Sequence, residues 1–404
     1  MKLKSICEVK NFKNKLVLLR VDFNVPLQNG RVKDDWRIRA VLPTFELLVK
    51  EGAKIIIISH LGRPMAMLNS KSKASASKKN QNLKFSLKPV FNHLKKLVNF
   101  KIDFTRAEIG SKSLDKKIKT LKAGSALMLE NIRFYIGEET NEREFAKKLS
   151  KLADIFVNDA FSVSHRDCAS VSGVTKFLPS YAGLNLVKEV EVLEEVIKNP
   201  KKPMVVIMGG AKISDKIGVI KRLLPESKAI LIGGALANNF FKAKGFSIGS
   251  SLYDKEGVSI AKKFIKNKKI ILPIDAIITN GKKVEIREVV LKKLCPNGFK
   301  IVDIGPRTIK LFSDYIRKAK TIVWNGPMGL FEDKRFAYGS LALAQIVGAR
   351  STGSAFGVVG GGETIEVLKK TGMEKYIDWV STGGGAMLEF LEGKVLPGVR
   401  PLLK

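Results

Sequence analysis

The chain has 404 residues, 45% of them hydrophobic, so it is long enough to bury two separate cores. It contains no run of 18 apolar residues and its N-terminus lacks the apolar centre of a signal peptide, which argues against a membrane protein and predicts a soluble cytoplasmic one. The formal net charge of +34 is compatible with nucleic-acid binding, but the lysines are scattered over nearly every amphipathic segment, which favours solvated surfaces that attract small anions.

The first half of the chain alternates apolar runs with amphipathic stretches. In chain order it predicts a strand at 16–23, a helix at 37–51, a strand at 54–59, a helix at 87–98, a strand at 125–129, a helix at 141–153 and a strand at 155–158. Strands of this kind that alternate with helices are typical of a parallel sheet covered on both faces. Residues 65–82 are rich in Ser and Lys and lack periodicity, which predicts a mobile surface loop.

A strongly amphipathic stretch at 187–199 predicts a helix that ends before Pro200 and connects two α/β halves. The second half then predicts strands at 205–208, 229–232, 270–272, 321–324 and 356–359. Glycine clusters follow three of these strands, at 209–210, 233–234 and 360–362, and a fourth cluster at 383–385 opens the last helix. Because the C-terminal ends of parallel strands share one edge, these clusters predict a phosphate cradle of nucleotide size.

The stretch 205–216, V-V-I-M-G-G-A-K-I-S-D-K, is the most informative of these turns. Gly209 and Gly210 predict a tight turn that presents free backbone N–H groups to a ligand. A helix that starts at this turn would place Lys212 and Lys216 on one face, next to an N-terminus that favours anions. Taken alone, the stretch is equally compatible with an ordinary β-turn-α unit that carries surface lysines.

In the first half, ionisable and polar residues collect where the predicted strands end. These residues are Asp22 and Asn24 after the first strand, His60 and Arg63 after the second, Arg133 after the third, His165 and Arg166 after the fourth, and Arg37 in the first helix. A single arginine in such a place is usually solvated. Several guanidinium groups at one rim predict an anion site. Asp22 and Asn24 suit the hydroxyl groups of a small phosphorylated acid.

The motifs at these positions resemble those of the phosphoglycerate kinase family, in the family's order and from end to end of the chain. They are R-V-D-F-N-V-P at 20–26, S-H-L-G-R-P at 59–64, L-E-N-I-R-F at 129–134, N-D-A-F at 158–161, G-G-A-K-I-S-D-K at 209–216, V-W-N-G-P-M-G-L-F-E at 323–332, G-G-G-E-T at 360–364 and S-T-G-G-G-A at 381–386.

The resemblance implies a fold and an organisation. The fold is α/β, with two doubly wound parallel-sheet (Rossmann-like) domains that face a central cleft and are joined by a helix. The implied domains are 1–184, which would bind the phosphoglycerate; 185–390, which begins with the connecting helix and would bind the nucleotide; and 391–404, a tail that returns to the first domain. A monomer is expected, with no membrane partner and no specific nucleic acid.

The resemblance also implies a reaction, the reversible Mg²⁺-dependent transfer of a phosphoryl group between 1,3-bisphosphoglycerate and ADP, giving 3-phosphoglycerate and ATP. The implied phosphoglycerate-binding residues are Asp22, Phe23, Asn24, Arg37, His60, Leu61, Gly62, Arg63, Arg133 and Arg166. The implied nucleotide-binding residues are Gly210, Lys212, Lys216, Gly234, Asn325, Glu332, Gly361, Gly362, Glu363 and Thr364, with Gly383, Gly384 and Gly385 as a phosphate cage and Glu363 as the metal-side carboxylate.

A loose, in-line phosphoryl transfer is catalysed chiefly by positioning and charge stabilisation. Arg37 and Lys212 are therefore expected to clamp the transferring group from the two domains, while Lys216 holds nucleotide phosphates. No general base is needed in the direction in which an ionised carboxylate attacks. Water must be excluded from the acyl phosphate, which favours a closing motion of the two halves.

The chain departs from the family pattern at three places. Glu363 stands where the family usually has Asp, which keeps the charge but adds one methylene and leaves metal preference open. Cys168 stands where a second histidine is typical, and the insertion after Arg63 is longer than usual. The three cysteines are far apart and lack metal-ligand spacing, so reduced thiols are expected.

Two other classes of protein remain as alternatives. A basic nucleic-acid-binding protein on an α/β scaffold would show clustered lysines and strongly salt-dependent binding. A nicotinamide dehydrogenase would also have a parallel sheet with glycine turns, but no G-x-G-x-x-G with a following acidic residue opens either half.

Overall fold

The computed structural model describes residues 1–64, 84–211, 214–289 and 294–404. The chain divides into a first unit of residues 1–191 with 395–404 and a second unit of residues 192–394. The surface loop predicted at 65–82 and the predicted phosphate ligand Lys212 lie outside the described residues. No helix in the described part of the chain is both long and apolar enough to cross a membrane.

The first unit is built on a parallel sheet. Its strands are β1 (Leu16–Arg20), β2 (Leu27–Gln28), β3 (Arg31–Val32), β4 (Lys54–Ile58), β5 (Ile102–Thr105), β6 (Ser125–Leu129), β7 (Ile155–Asn158) and β8 (Ser180–Ala182). Six of them form one sheet in the order β5-β6-β4-β1-β7-β8, and β2 pairs with β3 as a small antiparallel ribbon. The predicted parallel sheet is confirmed, because β1 pairs in parallel with both β4 and β7.

The apolar strands of this sheet bury side chains on both faces. In β1, Val17 and Leu19 belong to one core, while Leu18 between them belongs to the core on the opposite face. Alternation of this kind follows from the two-residue period of a strand. It requires a layer of helices on each side, as the near-continuous apolar pattern predicted.

The helices of the first unit cover these two cores. They are α1 (Trp36–Ala40), α2 (Leu42–Lys50), α3 (Lys88–Leu97), α4 (Lys112–Lys119), α5 (Ile136–Glu139) and α6 (Arg143–Ser150). The single helix predicted at 37–51 is wrong, because the chain forms two helices that meet at Val41. Pro43 lacks the N–H that would donate to the carbonyl of Arg39, so the helical ladder is interrupted there.

A long helix, α7 (Leu184–Lys198), leads from the first unit into the second. The strands that follow are β9 (Met204–Met208), β10 (Ser227–Ile232), β11 (Ile270–Ile271), β12 (Asp275–Thr279), β13 (Val284–Glu288), β14 (Lys300–Ile304), β15 (Thr321–Asn325), β16 (Phe356–Gly360) and β17 (Trp379–Ser381). The helices are α8 (Ile217–Leu223), α9 (Gly234–Ala243), α10 (Lys255–Phe264), α11 (Pro306–Lys318), α12 (Tyr338–Ser351), α13 (Gly362–Thr371) and α14 (Gly385–Leu391).

The second unit repeats the doubly wound arrangement. Its large sheet has the order β11-β10-β9-β15-β16-β17, and a separate sheet of three strands, β13-β12-β14, is antiparallel. In both large sheets the strands are added first on one side of the first strand and then on its other side. This switch point lies between β1 and β7 in the first unit and between β9 and β15 in the second. Ligands of open α/β sheets bind at the carboxyl ends of the strands at such a switch point.

The last residues of the chain pack within the first unit. Asn158, at the end of β7, donates from Nδ2 to the carbonyl of Gly398 at 3.0 Å, and Gly398 donates its N–H to the carbonyl of Ser164 at 2.8 Å. Leu3 and Leu403 form an antiparallel bridge. The two ends of the chain therefore lie side by side in one unit.

Candidate active-site residues in the two units

In the first unit, Asp22 lies just beyond the end of β1 and connects several of the predicted residues. Its Oδ1 accepts the N–H of Asn24 at 2.9 Å, and its Oδ2 accepts the hydroxyl of Ser162. The same Oδ2 is 3.0 Å from Nη1 of Arg37. Asp22 is only 5% exposed, so this carboxylate sets the position of its neighbours.

The ends of β1, β4 and β6 are joined through Gly62. Its N–H donates to Oδ1 of Asn24 at 2.8 Å, and its carbonyl accepts Nη1 of Arg133 at 2.7 Å. Arg37 in turn donates to the carbonyl of Asn24 at 2.9 Å. The structure thus brings together Asp22, Asn24, Arg37, Gly62 and Arg133, which the sequence places on four separate segments.

His60 lies among guanidinium groups at this strand end. Burial, followed by the positive charges of Arg20, Arg133, Arg37 and Arg166, lowers its pKa well below the ordinary value. Nη2 of Arg20 is 3.3 Å from Nδ1 of His60, and since a guanidinium can only donate, Nδ1 is the acceptor of that contact. His60 is therefore a neutral imidazole at neutral pH, and the positive charge at this strand end belongs to the arginines around it.

Burial and the charge of Arg20 also lower the pKa of Arg133, to about 10. A bound anion would stabilise these buried cations, because its negative charge offsets both the loss of hydration and the repulsion between them. The cluster of Arg20, Arg37, Arg133 and Arg166 therefore has the charge and the hydrogen-bond donors that suit a small anion.

Other predicted residues of this unit have different surroundings. Phe23 is fully buried in the core and its N–H donates to Oγ of Ser59 at 2.9 Å, while Leu61 is 5% exposed. Arg63 is exposed, and His165 and Arg166 are half-buried. The prediction that Phe23 and Leu61 contact a substrate thus rests on family resemblance, because the structure places both side chains in the core.

Sequence reasoning missed two residues of this site. Arg20 is 1% exposed and donates from Nε to Oγ of Ser170 at 2.9 Å, and Ser162 donates to Asp22. The signal for Arg20 was present, because an arginine inside the apolar run L-V-L-L-R-V is a buried charge that needs partners. Ser162 gave no comparable signal.

In the second unit, the glycines after β9 and β10 let the loops pack against each other. A Cβ on Gly209 would lie 1.9 Å from the carbonyl oxygen of Pro327, and one on Gly234 would lie 2.8 Å from the nitrogen of Gly210. The prediction that Gly209 and Gly210 offer free N–H groups is wrong. These groups donate to the carbonyls of Asn325 and Pro327, each at 3.0 Å, because the loop after β15 lies directly beside them.

Lys216 is a buried cation at the same strand ends. Its Nζ donates to Oδ1 of Asn325 at 2.5 Å, and Nδ2 of Asn325 donates to the carbonyl of Gly360 at 3.0 Å. The prediction of a helix that carries Lys212 and Lys216 on one face is wrong for Lys216, because α8 begins one residue later, at Ile217. Lys216 is instead held in place by the end of β15, which is distant in sequence.

Burial lowers the pKa of Lys216 to about 8, while the carboxylates of Glu363 and Asp215 act to raise it. Glu363 is exposed in the first turn of α13, and Thr364 beside it is buried and accepts the N–H of Gly326 on Oγ1 at 2.7 Å. An ammonium group near an exposed carboxylate suits a metal–phosphate complex, because the ammonium can bind a phosphate oxygen while the carboxylate binds the metal ion.

A cavity of about 270 Å³ opens beside these loops in the second unit. Its walls are mainly apolar, and Phe241, Pro273 and Ile301 contribute to them. Gly210, Gly234, Glu332 and Glu363 also line it, so four of the predicted nucleotide-binding residues share one concave surface. An apolar pocket with a few polar groups at its rim is typical of a site for a flat ring system with a charged tail.

One glycine in each of the clusters that open α13 and α14 faces open space. No atom lies within 4 Å of the position where a Cβ would stand on Gly362 or Gly384, whereas Gly361 has a positive φ of 94° and packs against Asn325. Gly383 donates its N–H to Oγ of Ser381 at 3.0 Å, and Gly385 is the first residue of α14. The first N–H groups of a helix lack intrahelical acceptors, so α13 offers donors where the backbone is open.

The described residues contain no group of three or more His, Cys, Asp or Glu side chains able to hold a metal ion by themselves. Mg²⁺ in nucleotide sites usually takes one or two carboxylates together with phosphate and water oxygens. A single exposed carboxylate such as Glu363 at the cavity rim fits that role. All three cysteines are free thiols, as predicted.

A family model, known protein sequences and solved structures all match this chain to phosphoglycerate kinases. The family model described as phosphoglycerate kinase matches residues 6–394. The phosphoglycerate kinase of Chloroflexus aggregans is 44% identical over 396 residues, with 96% of each chain covered. That of Borreliella afzelii is 42% identical over 410 residues, with all of both chains covered.

Solved structures match over the same length. The phosphoglycerate kinase of Coxiella burnetii superposes with a TM-score of 0.81 at 37% identity, covering 99% of each chain. The enzyme of Pyrococcus horikoshii superposes with a TM-score of 0.83 at 32% identity, covering 99% of this chain and 98% of the other. Neither the family model nor these relatives favour the nucleic-acid-binding alternative. The chain belongs to the phosphoglycerate kinase family and is a kinase that transfers a phosphoryl group to a carboxyl group.

Proposed function

We propose that the chain catalyses the reversible transfer of a phosphoryl group between 1,3-bisphosphoglycerate and ADP, giving 3-phosphoglycerate and ATP. The observation that carries this proposal is that each unit has cationic side chains at the carboxyl ends of its parallel strands, Arg37 and Arg133 in one unit and Lys216 in the other. Two anion sites of this kind suit a reaction between two phosphorylated substrates.

The first unit would bind the acid. Arg37 and Arg133 provide fork-shaped donors for a carboxylate or phosphate, while Asp22 and Asn24 accept from the hydroxyl of the acid. His60, which is neutral, can donate or accept a hydrogen bond without adding charge. Arg63 and Arg166 would extend the cationic rim.

The second unit would bind the nucleotide. The apolar cavity would take the base, Glu332 would accept from ribose hydroxyls, and Lys212 and Lys216 would contact the phosphates. The glycine segments 361–364 and 383–385 would complete the phosphate cage with those backbone N–H groups that do not already donate within the protein, as that of Gly383 does to Ser381. Mg²⁺, held with Glu363 and phosphate oxygens, would neutralise phosphate charge.

Transfer itself needs little covalent chemistry from the protein. The carboxylate of 3-phosphoglycerate is ionised and attacks without a general base. Arg37 and Lys212 would stabilise the charge that spreads over the equatorial oxygens, and Lys216 would hold the nucleotide phosphates. A monomeric enzyme in the cytoplasm is proposed, and light scattering on the purified chain tests its oligomeric state.

Because the two substrates are assigned to different units, transfer and exclusion of water both require a closing motion when both ligands are bound. Small-angle X-ray scattering tests this. The expected result is a smaller radius of gyration with 3-phosphoglycerate and a non-hydrolysable ATP analogue together than with either one alone. An unchanged scattering profile would contradict closure.

The activity is tested by ATP consumption with 3-phosphoglycerate and Mg²⁺, coupled to reduction by glyceraldehyde-phosphate dehydrogenase. The wild type is compared with Lys212→Ala, Glu363→Asp and, as a control, Lys221→Ala, which removes an exposed lysine of α8. Turnover that is retained in the control and reduced at least about 100-fold in Lys212→Ala is expected. No turnover in the wild type, but turnover in Glu363→Asp, would mean that the metal side has lost function.

A further inference from the structure

The side chain of Asn131 joins three segments next to the anion site of the first unit. Its Nδ2 donates to the carbonyl of Leu61 at 2.8 Å and to that of Phe85 at 2.9 Å, and its Oδ1 accepts the N–H of Arg133 at 3.0 Å. Asn131 is fully buried. Each of these bonds is therefore made in a place where water cannot replace it.

The segments it joins carry residues assigned to the acid. Leu61 lies between His60 and Gly62, and Arg133 donates to the carbonyl of Gly62 at 2.7 Å. The ring of Phe85 covers Gly62 closely, since a Cβ on that glycine would lie 2.4 Å from the ring. One buried carboxamide thus sets the distance between the loop after β4 and the guanidinium after β6.

The residue before Asn131 reinforces this arrangement. Glu130 accepts the hydroxyl of Ser86 on Oε2 and the N–H of Leu87 on Oε1, both at 2.7 Å. It also accepts the N–H of Asn131 itself at 2.9 Å. The segment 85–87, which follows the insertion, is therefore attached to the end of β6 by side chains of two consecutive residues.

We infer that Asn131 is a positioning residue for acid binding: it holds the loop 60–63 and Arg133 in the geometry that grips the phosphoglycerate. The inference rests on the proposed function for the identity of the acid. Asn131 does not itself touch the substrate. Its loss should weaken binding of the acid and leave the nucleotide site of the second unit unaffected.

The test uses the full-length protein and isothermal titration calorimetry with 3-phosphoglycerate and, separately, with Mg-ATP. Asn131→Asp keeps the shape of the side chain but turns an oxygen toward the carbonyls of Leu61 and Phe85. The Kd for 3-phosphoglycerate should rise at least about tenfold while the Kd for Mg-ATP changes less than about twofold, since each lost buried hydrogen bond is worth about a factor of ten.

A pH series separates positioning from general damage. The introduced carboxyl is buried between carbonyls, so its pKa is raised and its protonated form regains one donor. The Kd ratio of variant to wild type for 3-phosphoglycerate should therefore fall as the pH is lowered from 8 to 6. A merely destabilising substitution would give no such recovery.

Two further variants keep the inference falsifiable. Asn131→Ser retains an acceptor for the N–H of Arg133 but replaces the two N–H donors of the amide by one O–H on a shorter side chain. It should weaken acid binding even if Asn131→Asp fails to fold. Ser125→Ala removes a buried hydroxyl that donates to Lys122 at the opposite end of β6, and it should leave both Kd values unchanged.

An unchanged Kd for 3-phosphoglycerate in Asn131→Ser, or equal weakening for both ligands, would overturn the inference. A wild type without turnover whose acid binding is still weakened by Asn131→Ser would refute the proposed reaction and support the positioning role. A wild type that does not bind 3-phosphoglycerate would overturn both.

Discussion

Lys216 shows how a single residue acquires its chemistry from a distant part of the chain. Its ammonium is buried against Oδ1 of Asn325, 109 positions away, and burial brings its pKa down to about 8. The sequence predicted a phosphate ligand here but could not predict the burial, because G-G-A-K-I-S-D-K reads like a surface turn without the neighbouring loop after β15.

The lowered pKa predicts a pH dependence of nucleotide binding. Below about pH 8 Lys216 is an ammonium that attracts phosphate, and above that value it loses its charge in the free enzyme. The value of kcat/KM for ATP, which reports the enzyme before it binds ATP, should therefore fall as pH rises from 7.5 to 9.5. The profile is measured at saturating 3-phosphoglycerate.

Lys216→Arg is the control for this pH profile, because its guanidinium stays charged throughout the range. The variant should be less active at pH 7.5 but should lose the decline that begins near pH 8. A wild-type profile that stays flat to pH 9.5, or an equal decline in the variant, would contradict the assignment of the titrating group to Lys216.

At the scale of elements, the glycine turns of the second unit divide into two kinds. Gly209 is packed against the carbonyl of Pro327, whereas Gly362 faces open space at the start of α13. The sequence predicted that all the clusters share one edge, which the parallel pairing of the strands before them, β9, β10, β16 and β17, confirms. The sequence does not distinguish glycine turns that pack against other loops from those that face open space, because both consist of consecutive glycines.

This difference predicts that the same glycine-to-alanine substitution has opposite effects on the free energy of unfolding at the two positions. Gly209→Ala should lower the free energy of unfolding by at least about 3 kcal/mol, because its methyl meets a backbone oxygen that cannot move away. Gly362→Ala should keep or slightly raise it, by up to about 1 kcal/mol, because alanine suits a helix better than glycine.

Urea unfolding and the KM for ATP should then separate the two glycines. If phosphate approaches the open face of α13, Gly362→Ala raises the KM for ATP about tenfold or more in a fully stable protein. An unchanged KM would show that no phosphate lies there. A stable Gly209→Ala protein would show that the loops after β9 and β15 are able to separate.

A buried carboxylate at the start of α7 gives a second prediction at this scale. Oδ1 of Asp159 accepts the N–H of Leu186 at 2.9 Å, and Thr44 from α2 accepts the N–H of Leu184 at 3.0 Å. Burial raises the pKa of Asp159 to about 7, although the hydrogen bonds that its carboxylate makes with the Thr44 side chain and with the backbone of Leu186 and Asn185 act to lower it. The helix that leads into the second unit thus begins on a group that titrates near neutrality.

The sign of the effect follows from the raised pKa. Between the unfolded value of 3.8 and about 7, the folded state binds more protons, so its stability falls as pH rises. Asp159→Asn removes this group but keeps an acceptor for Leu186. From pH 5 to 8, the variant should gain roughly 2 kcal/mol in free energy of unfolding relative to the wild type.

Urea unfolding at pH 5, 6, 7 and 8 measures that difference. Asp303 in the second unit also has a pKa raised to about 7 by burial, but it is present in both proteins and cancels. A difference between the two proteins that does not change with pH would contradict a raised pKa for Asp159.

For the whole molecule, the sequence predicted the architecture better than the details. Two doubly wound sheets follow from strands such as K-I-I-I-I, which can only be buried on both faces. Among the strands it missed, β5 has only four residues, and β13, V-E-I-R-E, is almost entirely exposed. These strands are held in place by pairing with neighbouring strands, and the local sequence pattern does not indicate which strand will be the neighbour.

The meeting of the two chain ends is a property of the whole molecule with a testable consequence. Leu396, Val399 and Leu402 are fully buried, although the rest of the chain between 192 and 394 belongs to the other unit. Burial of three such side chains contributes roughly 5 kcal/mol. That is a large part of the stability of a typical domain, which is about 5–15 kcal/mol.

Deleting residues 395–404 should therefore destabilise the first unit selectively. Hydrogen exchange followed by mass spectrometry should show faster exchange in peptides from β1, β7 and β8, and unchanged exchange in β9, β15 and β16. Gly398→Ala is the matched point variant, because its Cβ would lie 2.5 Å from Val171 and 3.0 Å from Ser164. It should reproduce the pattern in a weaker form. Lys404→Ala, which removes only an exposed ion pair with Glu8, should not. Equal acceleration of exchange in both units would mean that they unfold as one cooperative body, and that the tail stabilises the whole chain.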